Sequence, residues 1–86
     1  MTTSQVSYTH IPDGLYAELD SKTGSIRATI HPFQRDHRIC FATCSGAAAH
    51  LQGKVIDLPD LQACQQAMTA CETELNRGQL VAQSYF

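Results

Sequence analysis

Eighty-six residues with a net charge of −2, 16% charged side chains and no tryptophan fit one small domain and leave too little chain for a second core. The six Lys/Arg (Lys22, Arg27, Arg35, Arg38, Lys54 and Arg77) are scattered, which argues against a stripe tracking phosphates; the eight acids are spread as thinly, which argues against a heavily charged nucleic-acid mimic. No run approaches the roughly 18 apolar residues of a membrane span, and Met1-Thr2-Thr3-Ser4-Gln5 lacks the basic and apolar regions of a signal peptide, so a cytoplasmic location is expected.

In chain order, Gln5 to His10 alternates, with Val6, Tyr8 and His10 on one face, which predicts a strand. Ile11-Pro12-Asp13-Gly14 is turn chemistry: Pro presets φ and Gly accepts a positive one. Leu15 to Asp20 alternates again, with Leu15, Ala17 and Leu19 inward. Ser21-Lys22-Thr23-Gly24 is the next turn, with Gly24 where a hairpin loop commonly needs a left-handed residue. Ser25 to His31 returns with Ile26, Ala28 and Ile30 on one face. Pro32-Phe33-Gln34-Arg35-Asp36 should break the pattern, because proline pushes His31 to an extended conformation and cannot donate to a ladder.

A fourth strand is expected over His37 to Cys44. His37, Ile39, Phe41 and Thr43 share one of its faces, and Arg38, Cys40, Ala42 and Cys44 the other; either face can be the buried one. Ser45 to Lys54 fits a helical turn over Ala47 to Leu51 closed by Gly53, or a loop. The helix signal is plain. Pro59 suits a first helical turn, Asp60 puts negative charge near the positive end of the dipole, and Leu61, Cys64, Met68, Cys71 and Leu75 make one apolar stripe before Gly78 stops it. Gln79 to Phe86 is a last strand or a tail docked through Tyr85 and Phe86. The expected fold is therefore α+β: a single domain over residues 1–86, with a small antiparallel sheet of about four strands packed on one C-terminal amphipathic helix.

Little in the sequence points to chemistry. Cys64 and Cys71 lie two turns apart on one helix face, about 10.5 Å along the axis, beyond the reach of a disulfide, and their place on the stripe suits small hydrophobes. Cys40 and Cys44 on an extended strand would stand about 13 Å apart, too far to share a metal ion with His31 and His37. No cysteine–histidine pair has catalytic spacing, and there is no Gly-rich phosphate loop, nucleophile elbow or His-Glu-x-x-His. The sequence predicts no enzyme, no cofactor and no metal.

The most unusual cluster is His31-Pro32-Phe33-Gln34-Arg35-Asp36-His37-Arg38, which gathers two His, two Arg and an aromatic at a strand–strand corner. Aromatic and Arg side chains anchor interfaces, and loops on a rigid sheet commonly carry them. His31, Phe33, Arg35, Asp36, His37 and Arg38 are therefore the candidate binding residues of a protein-binding protein.

The small size, and the layout of short strands from Gln5 followed by the Leu61-to-Leu75 helix, resemble small phage-encoded inhibitors of bacterial defence such as anti-CRISPR proteins. The resemblance lies in architecture and carries no motif. It implies stoichiometric docking on a CRISPR effector complex in a host cytoplasm, blocking DNA access or the nuclease. Two other readings stand beside it. One is a small nucleic-acid-binding module on the exposed sheet, disfavoured by the net acidic charge and few aromatics. The other is a homo-oligomeric structural subunit, a dimer for instance, in which Tyr85-Phe86 or a strand edge pairs with a copy.

Overall fold

A computed structural model describes residues 5–78. Five strands follow one another as antiparallel hairpins in the order β1-β2-β3-β4-β5: β1 Ser7–Ile11, β2 Gly14–Ser21, β3 Gly24–Phe33, β4 Asp36–Gly46 and β5 Val55–Leu58. One helix, α1 Leu61–Asn76, lies across the inner faces of β2 to β5. The α+β architecture is the expected one, with one strand more.

Alternation builds the core. The pairs Leu15–Ile30, Ala17–Ala28 and Leu19–Ile26 stack their side chains on the helix side, all buried. In β4 the alternation changes phase. Arg27 pairs with Thr43 but Ala28 pairs with Phe41, so Ala42 is an extra residue, a β-bulge. Ile39 and Phe41 are buried before the bulge and Cys44 after it, while Ala42 and Thr43 are exposed. Strict alternation would group Thr43 with Phe41 and Cys44 with Cys40; the bulge exchanges them. The Gln52 side chain accepts from the Cys44 N–H at 3.2 Å.

Several expectations are corrected. Strand β3 does not stop at His31 but continues through Pro32 to Phe33, because the paired stretch of β2 ends at Leu15–Ile30 and Pro32 has a ladder partner only in β4. The turns after β1 and β2 are Pro12-Asp13 and Lys22-Thr23, so Gly14 and Gly24 already stand in strands. Their need is close approach: a Cβ on Gly14 would overlap the Ile30 carbonyl oxygen, and one on Gly24 that of Ser45. The fifth strand, Val55–Leu58, pairs with His37 to Cys40 and is too short for its pattern to stand out before the helix signal. Between β4 and β5, Ala49–Leu51 makes a single 3₁₀ turn that buries Ala48 and Leu51.

The helix is tied down along its length. Asp60, not Pro59, marks its start: Asp60 is extended, and its Oδ1 accepts the Ala63 N–H at 2.8 Å, a cap worth about 1 kcal/mol. Cys64, Ala67, Met68, Cys71 and Leu75 are buried, whereas Leu61, expected on the stripe, is 37% exposed. At the far end, Thr23 Oγ1 and Ser21 Oγ donate to the Leu75 carbonyl at 2.6 and 3.3 Å, and Gly78 follows with φ +72°. The Glu72 carboxylate accepts from the Val6 N–H at 2.9 Å, linking the helix to the chain just before β1. No helix among the described residues is long and apolar enough to cross a membrane. The expectation for Gln79 to Phe86 lies outside the described residues.

Met68 has no exposed surface and Gln66 is exposed. Met68→Asp places an unpaired charge in the core, at a cost comparable to the whole ~3–5 kcal/mol such a domain holds. Circular dichroism melting should find Met68→Asp unfolded and Gln66→Asp within about 0.5 kcal/mol of the parent; equal loss in both would contradict the helix phase.

Candidate functional site

The β3–β4 hairpin reaches past the last β2 pair and closes at Phe33–Asp36 through the two residues Gln34 and Arg35. Gln34 has φ +56°, a left-handed conformation that costs a residue with a Cβ about 1 kcal/mol. A two-residue hairpin turn demands such a conformation.

The pleat divides the six sequence-predicted residues. Buried Ile26, Ala28 and Ile30 fix the even positions of β3 toward the helix, so His31 and Phe33 face the other side. Buried Ile39 likewise turns His37 toward the helix, and Asp36 and Arg38 away from it. Arg35 sits in the turn. The structure thus brings His31, Phe33, Asp36 and Arg38 together on the uncovered sheet face and sends His37 to the opposite one.

Arg38 organises the uncovered group. Its guanidinium carbon lies 3.5 Å from the Phe33 ring centroid, within cation–π range. Its Nε and one terminal nitrogen donate to the two Asp57 oxygens at 2.7 and 3.1 Å, a fork-to-fork contact supplied by β5. His31 is the direct cross-strand partner of Arg38 on its other side, and Phe33 stays 36% exposed. The Asp57 carboxyl is held below its ordinary range, chiefly by this hydrogen bond and by the Arg38 charge. An exposed pair of this kind contributes little stability; what it fixes is the position of the guanidinium over the ring.

Beyond this corner the open face is mixed. Thr9, Tyr16, Thr29, Cys40 and Val55 form one row across all five strands, with Val55 51% exposed. On β3, Arg27 lies between Asp20 at 2.9 Å and Glu18 at 3.3 Å.

The helix side holds a cavity of about 410 Å³ beside the first turns of α1. Leu15, Ile30, Pro32 and Leu61 supply its apolar wall, and Tyr8, His10, His37 and Gln65 its polar groups. His37 Nδ1 is buried with no hydrogen-bond partner among the described residues. Burial, helped by the Glu72 charge, pushes the Tyr8 hydroxyl up to about 12, so it stays protonated at neutral pH.

All four cysteines are free thiols, three of them in the core. Cys40 faces the open side and Cys44 the core, and His31 and His37 are likewise on opposite faces. Burial, reinforced by nearby carboxylates, pushes the Cys64 thiol up to about 11 and the Cys71 thiol to about 12, which keeps both protonated. No family model, curated protein or solved structure matches the chain.

Asp57, Tyr8 and Gln65 are not among the sequence-predicted site residues. The β-branched pair Val55-Ile56 was the signal for a strand that would set Asp57 beside Arg38. Nothing in the order of residues links Tyr8 to Gln65.

Arg38 stabilises the Asp57 carboxylate in the folded chain, so that contribution is present above the ordinary carboxylate range and is lost as pH falls through the lowered folded value. Carboxyl-carbon NMR should find Asp57 titrating below ~3.9, and Arg38→Gln should return it toward that value. An identical titration in both proteins would rule out the fork contact.

Proposed function

We propose that this chain is a non-enzymatic binding protein that docks a partner protein through the β3–β4 hairpin end and the adjoining open sheet face. The observation that carries the reading is the Phe33–Arg38–Asp57 stack: a partly exposed aromatic ring under a guanidinium already held by a carboxylate. Ordering long side chains at an interface costs roughly 0.5–1.5 kcal/mol each, and an Arg fixed before contact avoids most of that. The hairpin projects from the sheet, so a partner can close on both its turn and its outer face. A hollow of about 550 Å³ lined by Ile11, Asp13, Thr29, His31 and Pro32 shares His31, the cross-strand partner of Arg38, with this corner and gives a contacting side chain somewhere to enter.

A protein partner fits this surface better than a nucleic acid. Arg27 and Arg38 are both engaged by carboxylates, which competes with phosphate, and Asp13, Asp36 and Asp57 border the same corner. The finer form of the proposal, an inhibitor seated on a CRISPR effector complex, rests on the resemblance in size and layout.

Quantitative affinity capture from bacterial lysate, with Phe33→Ala and Arg38→Ala beside the parent, tests the proposal. One discrete complex should be retained by the parent and fall at least tenfold with either variant, as loss of a central aromatic or Arg anchor does. Retention unchanged by both variants would move the contact elsewhere. An effector complex among the retained species would give the finer form.

A further inference from the structure

We propose that the cavity beside the first turns of α1 binds a small uncharged, largely apolar molecule bearing one hydroxyl or N–H, for which 2-naphthol is a probe. The cavity lies on the helix side, opposite the proposed docking face, and the inference does not depend on that reading. Three observations converge on it. The volume, about 410 Å³, falls within the roughly 300–1,000 Å³ of small-molecule sites. Leu61 is at a stripe position yet 37% exposed, because it borders the cavity instead of packing in the core; a ligand there would cover it. Inside the wall, His37 Nδ1 is a buried hydrogen-bonding atom without a partner among the described residues, an arrangement that is unfavourable until something satisfies it.

The lining selects the ligand. It contains no Asp, Glu, Lys or Arg, and its ionisable groups are the imidazoles of His10 and His37 and the Tyr8 hydroxyl, so a permanently charged molecule would give up hydration with no permanent counter-charge in return. Leu15, Ile30, Pro32 and Leu61 offer apolar contact, while Tyr8 and Gln65 add further hydrogen-bonding groups at the same walls. His37 lines the same walls, and a turn of its imidazole about the Cβ–Cγ bond would be what presents Nδ1 to the ligand's polar group.

Titration of the isotope-labelled full chain with 2-naphthol, followed by amide NMR, tests the proposal. Saturable shifts should centre on Leu15, Ile30, His37 and Gln65, with a dissociation constant on the order of 1 mM or tighter. 2-Naphthoate, the same rings with a charge, should bind at least tenfold more weakly. His37→Leu should weaken 2-naphthol about tenfold. Leu61→Trp, a change at a partly exposed residue of the first helical turn, should fill the entrance and abolish binding while amides remote from the cavity keep their positions. The absence of saturable shifts, equal affinity for the naphthoate, or binding that survives Leu61→Trp would each overturn it.

Discussion

One helix of 16 residues, about 24 Å long, is the only helix longer than a single turn among the described residues, and it packs against β2 to β5 of a five-stranded sheet. That inequality shapes the rest of the molecule. The space between the sheet's covered face and the helix takes the buried apolar side chains, Leu15, Ile26 and Phe41 from the sheet and Met68 from the helix among them, and no polar residue is buried there in the described chain. The uncovered face is built from threonines, a tyrosine, a cysteine and paired charges, which tolerate water on one side and contact on the other. Covering the sheet only in part also leaves a gap beside the first turns of α1, where Leu61 borders the cavity.

The helix stays in place because separate parts of the chain meet its ends. Asp60 caps the start, the hydroxyls of the β2–β3 turn meet the Leu75 carbonyl at the finish, and Glu72 holds the Val6 amide. The first two answer backbone groups that a helix terminus leaves open, and the third ties the chain before β1 to the helix. With the helix and sheet locked together, the β3–β4 hairpin extends from a rigid base. Its two surfaces then carry different chemistry: a guanidinium over an aromatic ring outside, and an imidazole against an apolar cavity inside.

Much of this fold is legible in the residues. Leu15-Ala17-Leu19 and Ile26-Ala28-Ile30 alternate cleanly because they lie in central strands with one wet face, and the Cys64-to-Leu75 stripe has helical spacing because it meets that face. The bulge at Ala42 is not legible, since an extra residue in a ladder is defined only by its partner strand. Pro32 misleads for a related reason: a proline ends a central strand but is harmless where the neighbouring strand has already stopped. The candidate site was half visible. Phe33 and Arg38 stand out by residue type, but the carboxylate that fixes Arg38 comes from Asp57, nineteen residues away on a strand the pattern concealed. The split of His31 from His37 follows from pleat parity, which could be read only once His37 was known to lie in the ladder with Pro32.

The open face carries an aromatic–guanidinium anchor already formed in the free protein. Its most direct test is the NMR spectrum of the isolated chain at the Arg38 side chain. A formed stack predicts Arg38 side-chain protons shifted upfield by the Phe33 ring, nuclear Overhauser contacts between the two, and a single slowly exchanging Nε–H held by Asp57. Random-coil shifts with a rapidly exchanging Nε–H would contradict the account, since the anchor would then have to be assembled by its partner.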